Sequence, residues 1–326
     1  MVYSMSPDSL EMVLLTSMIR IRMIEEAIAD RYSEQKMRCP VHLSIGQEAP
    51  AAAFSAVVEK GDYAVSTHRG HAHFLAKGSS LNAMIAEIYG KSTGCSKGRG
   101  GSMHLADKSI GFMGTSAIVG NSIPIGVGLG LAIQIQNVPK VSCVFLGEGA
   151  TEEGVFYESA SFAALRHLPV VFLCENNGYS VYSPLSVRQP AGRNLTYLAS
   201  ALGLNAVEVD GNDAIACFES IQGALGNARN GAGPQFVEFH TFRHREHCGP
   251  NDDDHLGYRA PGELGSWLEK DPIELLERKL SHQNTNLGVE VRAIRSQFAG
   301  EIALAFDAAE AAPYPDFDEC MDDVYA

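Results

Sequence analysis

Two oxygen-bearing side chains stand just past two apolar runs, and their types suggest a metal. Glu148 lies in Gly147-Glu148-Gly149 after residues 141–146. Asn177 lies in Glu175-Asn176-Asn177-Gly178-Tyr179 after residues 169–174. A carboxylate, an amide oxygen and a nearby backbone carbonyl are hard ligands suited to magnesium. Magnesium held this way keeps its other positions for water and phosphate oxygens, so the pattern points to a diphosphate. Taken singly, Glu148 reads as a solvated turn residue and the asparagines as turn formers. The whole constellation outweighs that reading.

Those residues must be positioned by a strand, a helix and a second strand. Residues 141–146 are mostly apolar and β-branched or aromatic, which predicts a buried strand. Gly147 and Gly149 allow a sharp turn. Glu152 and Glu153 favour a helical first turn, and Phe156, Ala160, Ala163 and Ala164 form an apolar face at helical spacing. Residues 169–174 predict another buried strand. Such a βαβ unit makes the strands parallel and close, with Glu148 and Asn177 at their carboxyl ends, where open α/β sheets bind ligands. Elsewhere, helices are predicted over 8–35, 47–58, 81–89, 118–135, 197–202, 213–229 and from 271 to about 309. Short strands are predicted at 63–66, 206–209 and 235–240. Residues 90–101 form a glycine-punctuated loop of the kind that is functional or mobile. Gly120, Gly126, Gly128 and Gly130 imply close packing of the sheet or a partner subunit. No repeat or linker divides residues 1–326, so a single α/β domain is expected.

The 326 residues suffice for a sizeable core, and 45% hydrophobic with 20% charged residues is ordinary for a globular protein. A net charge of −14 argues against nucleic-acid binding. The acid excess includes Asp252-Asp253-Asp254 and the run from Asp316 to Asp323, the latter read as a solvated end. Seven scattered cysteines without a C-x-x-C pair suit a reducing cytoplasm. The start, Met1 to Ser6, lacks the form of a secretory signal, and no membrane span is evident.

Arg69 offers a planar donor fork for phosphate oxygens, with His68 and His71 beside it. His247 follows Phe242-Arg243-His244-Arg245-Glu246, and histidine is the usual proton carrier near neutral pH. A histidine taken singly is more often structural; this clustering raises its standing.

The window 141–179 resembles the thiamine-diphosphate fingerprint, G-D-G followed by N-N. From about residue 10 to about 310 the chain is similar to the alpha subunit of two-subunit 2-oxo acid and acetoin dehydrogenases. Its other landmarks are His42-Leu-Ser-Ile-Gly-Gln-Glu-Ala49, Ser66-Thr-His-Arg-Gly-His71, Lys97-Gly-Arg-Gly-Gly-Ser-Met-His104 and Ile118-Val-Gly120. The resemblance implies a doubly wound, mostly parallel sheet with helices on both faces, and the cofactors thiamine diphosphate and Mg2+. It implies metal ligation by Glu148, the Asn177 amide oxygen and the Tyr179 carbonyl. His68, Arg69 and Arg243 would serve the diphosphate, and Gly147, Gly149 and Ala150 would line the cofactor. The backbone of Ile118, Val119 and Gly120 would lie against the pyrimidine. His247 matches a catalytic-site histidine, with His71 and His104 as secondary candidates for the substrate pocket.

There are departures. Glu148 stands where the family usually has Asp, and its extra methylene must shift the carboxylate or the metal. His68 takes the place of a frequent tyrosine, and Arg245-Glu246-His247 replaces His-Gly-His. Cys248 and Gly257 occupy positions that are phosphorylated serines in mitochondrial relatives, so that regulation is not expected. The resemblance further implies a beta subunit that supplies a glutamate, two alpha with two beta chains, and transfer to a lipoyl acyltransferase. The donor would be a small 2-oxo acid or acetoin, and the Ser66–His71 segment leans toward acetoin. Alternatives are a two-chain carboligase or ketol transferase, motivated by the altered loop 245–254, and a cofactor-free scaffold subunit.

Overall fold

A computed structural model describes residues 9–321. Met1 to Ser6 and the last part of the acidic run, including Asp322 and Asp323, lie outside the described residues. The chain opens with α1 (Leu10–Tyr32), whose N-terminus is capped by Ser9, and α2 (Glu48–Val57). Next come β1 (Tyr63–Ser66), α3 (His71–Ala76), α4 (Leu81–Ile88), β2 (Phe112–Thr115) and α5 (Ser122–Gln136). The central unit is β3 (Ser142–Gly147), α6 (Gly154–Leu165) and β4 (Val170–Asn176). A two-residue pair, β5 (Tyr179–Ser180) and β6 (Ser183–Pro184), leads to α7 (Leu185–Arg188), α8 (Leu195–Ala201), β7 (Asn205–Asp210), α9 (Ala214–Arg229) and β8 (Gln235–His240). The chain continues through α10 (Glu263–Leu268), α11 (Pro272–Ser281) and α12 (Leu287–Ala311).

The main sheet has the order β2-β1-β3-β4-β8-β7, and every pairing within it is parallel. Strand alternation sends Cys143, Phe145, Val171, Leu173, Val237 and Phe239 into one core with α1, α2, α9 and α12. It sends Val144, Leu146, Val170, Phe172 and Phe236 into the other, under α5, α6 and α8. Burial on both faces is why the two central strands read as continuous apolar runs. The fold is therefore α/β with helices on both faces, as the sequence suggests. Gly126 and Gly130 let α5 lie directly on the sheet, because a Cβ there would strike Val144 and Val170; Gly128 faces open space. The sheet is thus the neighbour those two glycines require. Among the described residues, no helix is long and apolar enough to cross a membrane.

Several local features differ from the sequence expectation: β5, β6, α7 and α10 are not anticipated in it, and the helical region from 271 is split into α11 and α12. The edge strand β2 has only four residues, including Gly114, too short for a periodic signal. Helix α3 is six residues of His and apolar types, equally short. Helix α5 starts at Ser122 and not at 118, because residues 118–121 form a turn in which Asn121 N donates to the Ile118 carbonyl at 3.1 Å. The loop 90–101 has a defined anchor. The buried Glu87 carboxylate accepts from the backbone N–H of Ser96 (2.7 Å), Gly98 (2.9 Å), Gly100 (2.6 Å) and Gly101 (3.1 Å).

Candidate active site

The sheet reverses its direction of growth between β1 and β3, which opens a crevice at their carboxyl ends. The segments leaving β1, β3, β4 and β8 meet there around a cavity of about 210 Å³. His68, Arg69, Ile118, Val119, Gly120, Gly147, Glu148, Gly149, Ala150, Asn177, Tyr179 and His247 all line it. His71 and Arg243 do not; they sit behind the wall.

Glu148 and Asn177 reach the crevice because β3 and β4 pair in parallel with Gly147 opposite Glu175. The Glu148 carboxylate is buried, and burial pushes its pKa up while Arg188 opposes the shift. Arg188 Nη2 donates to Glu148 Oε1 at 2.6 Å. The Asn177 side chain donates to Gln47 Oε1 at 3.3 Å and accepts from Tyr179 N at 3.1 Å. Asn176 points away and donates to Glu238 at 2.7 Å.

The opposite wall is a cluster of imidazoles. His42, His68 and His247 each present a ring nitrogen within 4.8 Å of the others. Burial, aided by the Arg69 cation, holds their pKa values down to about 2, about 4 and about 3 respectively. All three rings are therefore neutral at pH 7, and His42 Nδ1 is buried without a hydrogen-bond partner. Arg69 is buried and spends its fork on carbonyls, donating to Leu43 at 2.6 Å and to His247 at 3.1 Å. Burial, then repulsion from Arg243, lowers its pKa to about 10, so it stays charged.

A second ring of buried polar pairs fixes these loops. His71 is locked between Glu25 Oε2 at 3.0 Å and Ser102 Oγ at 2.7 Å. His73 bridges Ser66 Oγ (2.7 Å) and the cavity-lining Glu175 (3.0 Å). Glu48 pairs with Arg22 and accepts from Gly46 N at 3.1 Å. Gly46 has φ +94, and a Cβ there would collide with the Phe242 carbonyl, so only glycine lets the 42–47 loop cross the 241–247 loop. Arg243 is fully buried, bonded to Asp253 Oδ2 at 3.1 Å and the Val181 carbonyl at 2.6 Å. Asp253 also pairs with Arg259 at 2.9 Å, so the middle of the acidic triplet is a buried structural charge. His104 Nδ1 donates to the Gly100 carbonyl at 3.1 Å, and the residue is absent from the cavity wall.

Sequence reasoning missed His42, Gln47, Glu175 and Ser180 as wall residues. His42 and Gln47 lie in a segment, residues 42–49, that serves in the sequence only as a family landmark; their spacing carries no chemical signature. An oxygen set with two carboxylates, Glu148 and Glu175, beside neutral imidazoles and a buried guanidinium suits a phosphorylated ligand carrying a hard cation.

The dehydrogenase E1 component family model matches residues 16–318. The subunit alpha of acetoin:2,6-dichlorophenolindophenol oxidoreductase from Bacillus subtilis is 36% identical over 309 residues, covering 94% of this chain and 91% of the relative. The pyruvate dehydrogenase E1 component subunit alpha of Rickettsia felis is 32% identical over 308 residues, covering 94% and 93%. The chloroplastic subunit alpha-3 of pyruvate dehydrogenase E1 from Arabidopsis thaliana is 33% identical over 319 residues, covering 96% and 74%.

Proposed function

The chain belongs to the dehydrogenase E1 component family, as an alpha subunit of the 2-oxo acid or acetoin dehydrogenase type with a beta partner, and from that premise we propose how its site works. The cavity binds thiamine diphosphate with Mg2+. Glu148, the Asn177 amide oxygen and the Tyr179 carbonyl hold the metal. The observation that carries this is the convergence of Glu148 and Asn177, from adjacent strand ends, on a cavity faced by Arg69 and three neutral histidines.

The bound cofactor would supply the carbanion chemistry; the protein orients and neutralises. His68 and His247 donate to diphosphate oxygens, and Arg69 adds a fixed positive charge behind them. Gly147, Gly149 and Ala150 bring backbone close to the cofactor, and Ile118, Val119 and Gly120 form the wall for its ring. His247, neutral and next to the cavity, is the proton carrier. His71 and Arg243 act as positioning residues: His71 through Glu25 and Ser102, Arg243 through the loop that carries His247.

The described residues, 9–321, form one domain of a cytoplasmic enzyme of two alpha and two beta chains. Ile118 and Val119 are 69% and 53% exposed beside the cavity, an apolar rim that the beta chain covers. The substrate is a 2-oxo acid or acetoin, and the acyl group passes to a lipoyl acyltransferase. Titration calorimetry of thiamine diphosphate with Mg2+ into the alpha–beta complex tests the reading. Saturable, magnesium-dependent binding is the expected result; no binding at millimolar cofactor would overturn it.

A further inference from the structure

The carboxylate assigned to the metal already has a cation of its own. Arg188 Nη2 lies 2.6 Å from Glu148 Oε1, Nη1 bonds Glu152, and Nε donates to the Ser183 carbonyl at 3.0 Å. Glu148 is buried, so this is an enclosed, charge-assisted contact and not a solvated surface pair. Arg188 ends α7, within a largely exposed segment; Val187 beside it is 73% exposed. Polar clamps tie that segment to the turn after β3. Gln189 donates to Glu152 at 2.8 Å, and Arg193 donates to the Tyr157 hydroxyl at 2.9 Å. Gly149 makes room for the crossing, since a Cβ there would sit 3.1 Å from Ser180 Oγ and 3.6 Å from Arg188 Nη1.

We propose that Arg188 is a loading gate for the metal: its guanidinium keeps Glu148 until a diphosphate enters the cavity, and only then releases it to the divalent cation. The proposal rests on the reading of Glu148 as a metal ligand. A bare divalent ion would have to break the Arg188 contact and share one carboxylate with a second cation. A diphosphate removes both obstacles. It offsets the positive charge, and its anionic oxygens offer the guanidinium alternative acceptors. Metal and diphosphate should therefore bind cooperatively, and the cooperativity should reside in Arg188.

The test uses the full-length chain with its beta partner and Mn2+, a hard cation detectable by the resonance of its free form. Mn2+ is titrated with and without thiamine diphosphate into the wild type and Arg188→Met, Arg188→Lys and Glu148→Gln variants. In the wild type, thiamine diphosphate should tighten Mn2+ binding at least about tenfold, the scale of one charge-assisted hydrogen bond. Arg188→Met should bind Mn2+ alone about tenfold more tightly than the wild type and lose most of that cooperativity. Arg188→Lys should retain part of it, which also guards against a variant that is merely misfolded. Unchanged or weaker Mn2+ binding in Arg188→Met, with the wild type still cooperative, overturns the gate and leaves the metal assignment standing. Mn2+ binding by Glu148→Gln equal to the wild type overturns both.

Discussion

Three neutral histidines, His42 buried and His68 and His247 half-buried, make the site sensitive to acid. His42 titrates at about 2 in the folded chain against an ordinary 6.5, His247 at about 3 and His68 at about 4. At pH 5 the folded rings remain neutral while the unfolded chain protonates each almost fully. The unfolded state then binds more protons, so stability falls as pH drops below about 6.5. His42, the buried member of the cluster, contributes about 2 kcal/mol of loss between pH 7.5 and pH 5, from about 1.5 pH units at about 1.4 kcal/mol each. His68 and His247, half-buried and electrostatically coupled to His42, act in the same direction. Glu48 and Glu148 act in the opposite sense, because burial raises their pKa values. A comparison with His42→Leu cancels those contributions. Urea unfolding at pH 7.5 and pH 5 should show the variant losing about 2 kcal/mol less than the wild type over that interval. Equal losses in the two proteins would refute the idea that His42 is held neutral by burial beside Arg69.

Other outcomes follow from the same geometry. Diphosphate binding near pH 6 should be accompanied by proton uptake onto the histidine cluster, visible as a buffer-dependent enthalpy in calorimetry. Glu148→Gln keeps an acceptor for Arg188 but loses the charge; its thermal midpoint should move by only a few degrees, roughly the effect of 1 kcal/mol, while metal-dependent cofactor binding disappears. Arg243→Met strands Asp253, which Arg259 only partly compensates, and should cost about 3–5 kcal/mol in chemical denaturation. The isolated chain should show no turnover with 2-oxo acids or acetoin, and activity should appear on adding the beta partner; turnover by the single chain would refute the two-chain assignment.

The central βαβ unit was legible because β3 and β4 are buried on both faces, which forces continuous apolar runs that end abruptly at polar turn residues. The glycines of α5 were legible as close packing, but only the register of α5 on the sheet shows that Gly126 and Gly130 serve it and Gly128 does not. The short elements β2 and α3 carry too few residues for either period to register.

The order of residues alone marked Glu148 and Asn177 as candidate oxygen ligands, the strand ends that carry them and the family resemblance, because each depends on neighbours close in the chain. Tertiary structure decided the rest. His42, His68 and His247 form one cluster only where three separate loops converge, and their neutrality comes from burial beside Arg69. His71 and Arg243 read as ligand-facing residues in the chain, yet packing turns them toward Glu25 and Asp253. Arg188 lies 40 positions from Glu148. No local pattern marks that contact, because it exists only once the segment after β4 folds back across the end of β3.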